Sequence, residues 1–281
     1  MTSSETTQWD RLLKHVGVWE GSFTRLSTDG TVQEDMPTII RLEGVDENRT
    51  MRQTNEYFSG QGEQPTTQRV MAYSSLGRNI LFCEDGSFSL GSMQFSPLAE
   101  FGAEFGFVRG DRRLRLVQLF NPGENSSQFS HLTLIRERRQ GTDAPERPPL
   151  TVASLLGEWQ GEAVTYYPDW RSPDRSPTRL TLRQEGDRLY QQLTTPSFEL
   201  STSATIEGNR LLFDEGPEPV QVLLLPDGGS CTTPLVIPRN RPFWFEAGWL
   251  VEPSLRLRLI RSYDAMGGWV SLTLVTERRG H

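Results

Sequence analysis

Lysine and cysteine are scarce in this chain of 281 residues, and each scarcity excludes a kind of chemistry. Lys14 is the one lysine among 29 basic residues, so Schiff-base catalysis would depend on this residue alone. The two cysteines, Cys83 and Cys231, are too few for a disulfide framework or a zinc knuckle. We therefore predict neither a cystine scaffold nor a structural metal site.

Histidine is also scarce, which argues against a catalytic centre. His15 lies on a predicted helix, His131 begins a predicted strand and His281 ends the chain, so none lies near a cysteine in sequence. The motifs of a serine-hydrolase elbow and of a zinc-binding helix are missing, and the acidic residues are scattered without an evident pair. We predict no catalytic residue and no bound metal.

Excess positive charge and long apolar runs are lacking as well. The net charge is -7 and the isoelectric point is about 5.2, so the chain has no basic field to attract nucleic acid. No run approaches the roughly 18 apolar residues of a membrane span, and residues 1–10 lack the apolar core of a signal peptide. We expect a soluble, cytoplasmic protein without a nucleic-acid partner or a membrane span.

The feature that the chain has in abundance is repetition. Both halves contain the pattern Gly-x-Trp-x-Gly near the start and the run Glu-Arg-Arg near the end. Four segments return with offsets of 140 to 143 residues: 17–21 as 157–161, 101–108 as 243–250, 114–120 as 257–263, and 132–139 as 272–279. A long internal repeat outranks other sequence signals, so two copies of one domain are predicted.

A linker and regular turn signals define the predicted architecture. Residues 140–149 contain three prolines and little to bury, which indicates a linker between a first domain of 1–140 and a second of 150–281. Helical spacing over 6–15, and a shorter stretch at 151–156, predicts a short helix ahead of each Trp motif. The remainder alternates with period two between turn residues. We predict an all-β fold, a tandem duplication of an antiparallel barrel in which each copy has a short leading helix.

This pattern resembles the calycin superfamily of lipocalins and fatty-acid-binding proteins. In that superfamily a Trp on the first strand packs across the barrel floor under an Arg from the last strand. The resemblance implies a cation–π contact of Trp19 with Arg138 or Arg139, and of Trp159 with Arg278 or Arg279. The residues that we predict to close the two barrels, in a structural role, are Trp19, Arg138, Trp159 and Arg278.

The second half also resembles a narrower family, known mainly from cyanobacteria, whose members carry two lipocalin-like barrels and no assigned function. Residues 245–264 and 268–279 carry this resemblance. More distantly, the implied fold is shared with the S-type lyases that attach bilins to phycobiliproteins. That link concerns the fold and does not establish the chemistry.

One strand of the second copy carries a candidate site for a ligand head group. In the segment 255–264, Arg261 and Tyr263 share a face with three leucines, and we expect that face to point into the barrel. A buried guanidinium needs a partner, and a ligand carboxylate held by Arg261 and the Tyr263 hydroxyl is one. The fatty-acid-binding proteins use a similar Arg-x-Tyr arrangement. The alternative is that Arg261 pairs internally with Glu246 or Asp264.

The first copy lacks this arrangement. Gln118 aligns with Arg261 and Phe120 aligns with Tyr263, while the leucines are retained. The first domain is therefore predicted to hold a degenerate site, and the second is predicted to be the binder.

Large rings extend the candidate site. Trp249 and Phe245 lie close to it in the aligned segment, and aromatic side chains line pockets for flat or greasy ligands. Tyr166, Tyr167 and Trp170 follow the first strand of the second copy, where a calycin loop crosses the barrel mouth, so we predict that they form a lid. The alternative is that most of these rings fill the interior of a small barrel.

These residues favour non-catalytic binding of a hydrophobic carboxylate, either a fatty acid or a bilin or other tetrapyrrole, in the C-terminal barrel. A bilin is the one cofactor considered. One alternative is a bilin lyase that presents the chromophore to a client such as a phycobiliprotein. Another is an assembly factor that acts through its surface with both barrels filled. A roomy cavity containing Arg261 would favour the ligand hypotheses, and sealed cavities would favour the assembly factor.

Overall fold

The computed structural model describes residues 6–59 and 64–280, and it is almost entirely β-structure. The two α-helices are α1 (Gln8–Leu13) and α2 (Val152–Leu155). The strands of the first copy are β1 (Gly17–Leu26), β2 (Val32–Val45), β3 (Thr50–Tyr57), β4 (Thr67–Tyr73), β5 (Ile80–Phe82), β6 (Phe88–Gly91), β7 (Phe101–Arg109), β8 (Arg112–Asn121) and β9 (Ser126–Arg139).

The strands of the second copy follow the same antiparallel plan. They are β10 (Gly157–Tyr166), β11 (Asp174–Glu185), β12 (Arg188–Thr194), β13 (Glu199–Glu207), β14 (Arg210–Phe213), β15 (Val220–Leu224), β16 (Gly229–Pro234), β17 (Val236–Pro238), β18 (Phe243–Glu252), β19 (Leu255–Tyr263) and β20 (Trp269–Arg279). The all-β duplication of an antiparallel sheet, with a short leading helix in each copy, is confirmed.

The two copies differ in how far their sheets close. In the second copy ten strands, β10 to β16 and β18 to β20, form a closed barrel. In the first copy the strand order is β4-β3-β2-β1-β9-β8-β7-β6-β5, and β4 does not pair with β5, so the sheet curls into a half-barrel. Strand β17 of the second copy pairs with β9 and extends the first sheet.

Each leading helix begins at a threonine cap. The Thr7 side chain accepts a hydrogen bond from the backbone of Asp10, and the Asp10 carboxylate accepts one from the Thr7 backbone. Thr151 and Ser154 form the same reciprocal box at α2. Such caps satisfy backbone N–H groups that a helix start leaves unpaired. They explain why two very short helices form at equivalent places.

The Gly-x-Trp-x-Gly pattern is explained by close approach of the first and last strands. Gly157 has a φ of 113°, a backbone conformation that favours glycine. A Cβ atom on Gly161 would lie 2.5 Å from the Thr276 carbonyl oxygen, so a larger residue would push β10 away from β20. Trp159 between them is fully buried, and its indole N–H donates to the Leu155 carbonyl at 2.8 Å. The motif is therefore structural.

The tryptophan of each Gly-x-Trp-x-Gly motif contacts an arginine that lies directly opposite on the last strand. The Arg139 guanidinium carbon lies 4.6 Å from the centre of the Trp19 ring, and the register pairs these two residues. Arg138 points to the outer surface and pairs with Glu20. The choice of Arg138 as the closing residue is wrong, because neighbours on a strand face opposite sides of the sheet.

The second copy repeats this correction. Arg279 lies 4.7 Å from the centre of the Trp159 ring and is its Cα partner across β10 and β20. Arg278 is exposed. Arg279 rather than Arg278 therefore covers the tryptophan.

The two copies share one large hydrophobic core. It forms where β7, β8 and β9 of the first sheet face β18, β19 and β20 of the barrel. The ring centres of Phe105 and Phe245 are 5.5 Å apart, and those of Phe107 and Trp249 are 6.0 Å apart. We call this contact the junction. Because it buries many large rings, it holds the copies together as a single unit.

The connecting segment is fastened to the junction. Residues 140–151 form no helix or strand, yet the Arg147 backbone N–H donates to the Asp227 carboxylate at 2.7 Å. The Arg147 guanidinium lies 4.2 Å from the Trp249 ring centre, and Arg112 of the first copy pairs with Asp227. This charged group links both copies and the connection between them.

Candidate functional site

Arg261 lies in the junction and not in the barrel lumen. It is fully buried, and its Nε donates to the Tyr263 hydroxyl at 2.7 Å. Its Nη1 and Nη2 donate to the Ser89 hydroxyl at 3.3 Å and the Ser92 carbonyl at 3.1 Å, both in the first copy. Burial lowers the pKa of Arg261 from its ordinary value, and the electrostatic interaction with Tyr263 and the hydrogen bond that Arg261 donates to its hydroxyl oppose this. The guanidinium is thus satisfied by neutral protein groups.

The face assigned to Arg261 was therefore wrong, although the alternation along the strand was right. Leu255, Leu257 and Leu259 do share a face with Arg261, but all belong to the junction core. The expectation assumed that an apolar strand face points into the barrel. On β19 the apolar face is the outer one, because the first copy covers it. The alternative pairing of Arg261 with Glu246 or Asp264 does not form either, since none of its hydrogen bonds goes to a carboxylate.

The other residues of the predicted head-group site lie in the junction too. Tyr263 stacks on Phe243 with ring centres 4.7 Å apart, and its hydroxyl donates to the Ser92 carbonyl at 2.7 Å. Phe245 and Trp249 pack against rings of the first copy. The structure brings Arg261, Tyr263 and Phe245 together in a sealed core, while Trp249 lies four residues further along β18 against Arg147.

The lumen of the second barrel has a different lining. It is a cavity of about 170 Å³ between apolar side chains of β11 to β15 and charged side chains of β18 and β19. Its aliphatic wall includes Leu155, Leu180, Leu182, Leu189, Leu200 and Leu211. Glu246, Arg256 and Arg258 form the polar wall. Trp244, which is 41% exposed, stands among the lining residues.

The polar wall belongs to a cluster of two arginines and two glutamates, in which Glu277 is the fourth member. Arg258 donates Nε and Nη2 to Glu246 at 2.9 and 2.6 Å. Arg256 Nη1 lies 3.3 Å from Glu277, but within the described part of the chain neither oxygen of Glu277 accepts a hydrogen bond. Burial works to lower the pKa of Arg258, but the charges of Glu246 and Glu277 outweigh it and raise that pKa.

The first copy contains the same cluster with tighter pairing. Arg113 donates to Glu137 at 2.6 and 2.8 Å, and Arg115 donates to Glu137 at 3.1 and 3.0 Å and to Glu104 at 2.7 Å. Burial alone would raise the pKa of Glu137, but the charges of Arg113 and Arg115 outweigh it and hold the pKa to about 2. Charge pairing is thus complete in the first copy and looser in the second.

Sequence reasoning missed this cluster, although a signal was present. Both copies carry Arg-x-Arg in the aligned strand, as Arg113 and Arg115 and as Arg256 and Arg258. Charged residues that occur at the same strand positions in both copies, on the face opposite the leucines, indicate a paired cluster in the interior. They are a better signal for a site than Arg261, which occurs in the second copy only.

The predicted lid residues line a cleft between the copies and not the lumen. The cleft has a volume of about 870 Å³, and α1 and the β4–β5 connection form its other walls. Tyr166 is buried, and its hydroxyl accepts the Glu84 backbone N–H at 3.2 Å. Trp170 is 64% exposed and has a φ of 61°. We call this feature the aromatic cleft.

Two arginines stiffen the aromatic cleft. The Arg171 guanidinium carbon lies 3.5 Å from the centre of the Tyr167 ring, and the Tyr167 hydroxyl donates to Asp174 at 2.5 Å. Arg11 of α1 lies 5.5 Å from the Tyr166 ring centre and donates to the Phe82 carbonyl at 3.0 Å. The cleft therefore has walls from both copies that their own contacts hold in place.

Histidines and cysteines are placed as packing residues. Burial, followed by the charge of Arg113, lowers the pKa of His15 to about 3, and its Nε2 lies 2.8 Å from the Gly86 carbonyl oxygen. His131 contacts the Ser130 hydroxyl, and His281 lies outside the described residues. Cys83 and Cys231 are buried, which raises the pKa of each thiol.

Among residues 6–59 and 64–280, no group of three His, Cys, Asp or Glu side chains is arranged to hold a metal ion. No helix in the same ranges is long and apolar enough to cross a membrane, since α1 has only six residues.

Comparison with known proteins identifies the family. A crystal structure of a DUF3598-family protein of unknown function from Nostoc punctiforme has a TM-score of 0.91 and 45% sequence identity, and it covers 98% of this chain and 100% of that one. The chain belongs to the DUF3598 family. The resemblance to a family without an assigned function is thereby confirmed.

Two family models each match about half of this DUF3598 chain. One, described as the N-terminal domain of unknown function DUF3598, matches residues 5–142. The other is described as the C-terminal domain of "Biogenesis factor required for ATP synthase 1" and matches residues 146–280.

A second solved structure is far less similar. The S-type phycobiliprotein lyase from Guillardia theta has a TM-score of 0.38 and 14% identity, covering 46% of this chain and 90% of that one. That similarity is too low to support a functional inference. Among curated proteins, none matches the chain.

Proposed function

We propose that this DUF3598 protein is an assembly factor that acts through its surface. The observation that carries the proposal is the absence of room in the C-terminal barrel. The lumen of about 170 Å³ is smaller than the roughly 300–1,000 Å³ of most ligand pockets, and Arg261 and Tyr263 are sealed in the junction. A bilin or a long fatty acid does not fit this lumen as it stands.

The client that we propose follows from the family model that the second copy matches. Residues 146–280 match a domain of a biogenesis factor required for ATP synthase. We extend that role to this chain and propose a subunit of the ATP synthase as its client, bound in the cytoplasm before assembly is complete.

The aromatic cleft is the surface that we assign to the client. Its volume exceeds that of the lumen, and Trp9, Tyr166, Tyr167 and Trp170 contribute to its walls. Tryptophan, tyrosine and arginine are the residues that most often dominate binding energy at protein interfaces. Because α1 belongs to the first copy and Trp170 to the second, the cleft forms only when both copies are present in one chain.

The proposal is tested by measuring the affinity of the full-length protein for purified ATP synthase subunits. Trp170→Ala should weaken binding of the client by about tenfold or more, which corresponds to about 1.4 kcal/mol. Trp244→Ala is the matched control, because Trp244 is also an exposed tryptophan but lies at the lumen of the second barrel. Binding that is lost with Trp244→Ala and kept with Trp170→Ala would contradict the assignment of the cleft. No binding of the wild type to any subunit would contradict the assembly-factor role.

A second candidate is storage or transfer of a hydrophobic carboxylate in the C-terminal barrel. The leucine-lined lumen with Arg256 and Arg258 in its wall supports this function. A bilin or long fatty acid would need the lumen to widen, and a bilin lyase would in addition pass its chromophore to a client such as a phycobiliprotein. Saturable quenching of tryptophan fluorescence by a bilin or fatty acid would support the carrier, and client-dependent transfer would support the lyase.

A further inference from the structure

Strand β4 of the first copy has one edge without a neighbouring strand. It pairs with β3 on one side, and within the described residues its backbone forms no hydrogen bond on the other side. Six of its seven residues are exposed, and among them the apolar side chains of Val70 and Met71 are 55% and 37% exposed. An open strand edge with exposed apolar residues is a template on which another polypeptide segment can add.

The equivalent edge of the second copy is polar. Counting across the paired strands from the tryptophan of each Gly-x-Trp-x-Gly motif places Val70 level with Ser201, and Met71 level with Thr202. Strand β14 pairs only with residues 205–207 of β13, so this part of β13 is an edge as well. Apolar residues at the edge are therefore particular to the first copy and are not required by the barrel fold.

The backbone of Val70 points to the free edge of β4. Just after β3, the Phe58 N–H donates to the Pro37 carbonyl of β2, and N–H groups alternate in direction along an antiparallel strand. Even-numbered residues of β3 therefore bond to β2, and Thr54, which lies opposite Val70, is one of them. The Val70 N–H and carbonyl are thus available to an added strand.

The charges around this edge are basic. Arg52, Arg69 and Arg78 are exposed, and none of them forms a salt bridge with a residue of 6–59 or 64–280. Glu56, the only acidic residue of β3, already pairs with Arg41 at 3.5 Å, and β4 contains no acidic residue. A partner segment with acidic residues therefore complements the edge. A second copy of this chain does not, because pairing β4 with β4 would bring arginines together.

We infer that an extended segment of the client adds to β4 as a further β-strand, and that this segment alternates apolar with acidic residues. Backbone hydrogen bonds to the free edge supply affinity, and contacts with Val70, Met71 and the nearby arginines supply specificity. The strand runs directly into residues 74–76, which line the aromatic cleft, so one client segment can occupy both surfaces. The inference rests on the proposed function, because its client is the ATP synthase subunit proposed there.

The test measures the affinity of purified ATP synthase subunits for two proline variants of the full-length protein. Val70→Pro removes an N–H group that the added strand needs, so it should weaken binding of the client subunit about tenfold or more. Ser201→Pro is the matched control at the equivalent edge of the second copy, and it should leave binding unchanged. Both variants should fold, since an edge strand tolerates proline where the N–H points away from the sheet, and urea unfolding checks this.

A charge reversal tests the acidic character of the client segment without altering the backbone. Arg69→Glu should weaken binding of the subunit severalfold, because it places a like charge beside the added strand. In the wild type, binding should also slow hydrogen exchange over residues 67–73, since an added strand protects the free edge.

Four results would contradict the inference, and they are distinguishable. Equal affinity of the wild type and Val70→Pro for the subunit would overturn strand addition and leave the assembly-factor role standing. Unchanged affinity of Arg69→Glu would overturn the acidic segment. A wild-type dimer in sedimentation that Val70→Pro dissociates would assign the edge to a second copy of this chain. No binding of the wild type to any subunit would reject both proposals.

Discussion

Arg261 stacks on Trp269, with its guanidinium carbon 3.5 Å from the centre of the indole ring. Both residues belong to the second copy, yet Arg261 also reaches Ser89 and Ser92 of the first. From its own strand alone, Arg261 is predicted to contact a ligand. In the structure it connects the two copies instead. Its partners are neutral, so its stabilising effect depends on hydrogen bonds, ring stacking and packing.

Arg261→Ala should lower the free energy of unfolding by about 2–4 kcal/mol, because it leaves a cavity and unpaired polar groups in the junction. Urea unfolding at neutral pH measures this change. Arg241→Ala, which removes an exposed arginine paired with Glu218, should change stability little. Equal effects of the two substitutions would show that the junction does not depend on Arg261.

Arg139 and Arg138 should differ sharply in their effects on stability. Arg139→Ala removes the contact with Trp19, a hydrogen bond to the Val16 carbonyl at 3.0 Å and the pair with Asp111, at a cost of about 1–3 kcal/mol. Arg138→Ala removes an exposed pair with Glu20 and should cost less than about 1 kcal/mol. Thermal unfolding of both variants measures the difference, and a larger loss for Arg138→Ala would contradict the structural assignment.

Gly161→Ala should destabilise the second barrel by about 1–3 kcal/mol, because the added methyl group would press against the Thr276 carbonyl on the last strand. Gly216→Ala is a suitable control, since the nearest atom to its added Cβ would be 3.9 Å away. Chemical unfolding of the two variants side by side measures the contrast. If Gly161→Ala were as stable as the control, the strands would not need the close approach.

The buried neutral His15 should make stability fall in mild acid. Its pKa is about 3 in the folded protein, lowered by burial and Arg113, against an ordinary value of 6.5. The unfolded chain therefore binds a proton that the folded chain excludes, and this group's stabilising effect is lost as the pH falls from 6.5 towards 3. The expected slope is about 1.4 kcal/mol per pH unit within that window.

A His15→Gln variant isolates this contribution. Glutamine can still donate to the Gly86 carbonyl but does not titrate, so its stability should depend less on pH between about 6.5 and about 4. Urea unfolding at several pH values in this range provides the comparison. Parallel curves for wild type and variant would show that His15 is not the acid-sensitive group.

Much of the fold follows from local sequence signals. The repeat, the alternation and the turn residues predicted two antiparallel barrels, of which the second closes and the first stays a half-barrel. The threonine caps and the Gly-x-Trp-x-Gly pattern depend on contacts near in sequence or between the first and last strands. Alternation also predicted correctly that Arg261 shares a strand face with Leu255, Leu257 and Leu259. These features depend on backbone geometry, which a single sequence reports well.

The site could not be read from the same signals, because alternation does not tell which of two faces is the interior. The outer face of β19 is apolar since it packs against the first copy, and that packing between copies has no local signature. The lumen side carries Arg256 and Arg258, which a rule of apolar interiors assigns to solvent. Comparison of Arg113 with Arg256 needs the structure, because the arginine is kept in both copies while its hydrogen bonds to the glutamate form only in the first.

The most direct measurement for the assembly-factor proposal is hydrogen–deuterium exchange of the full-length protein with and without purified ATP synthase subunits. We predict that one subunit slows exchange in residues 6–11 and 166–173, the two walls of the aromatic cleft, and leaves the strands around the lumen unchanged. Exchange that no subunit changes, or protection confined to the barrel mouth near Leu200 and Trp244, would contradict the account.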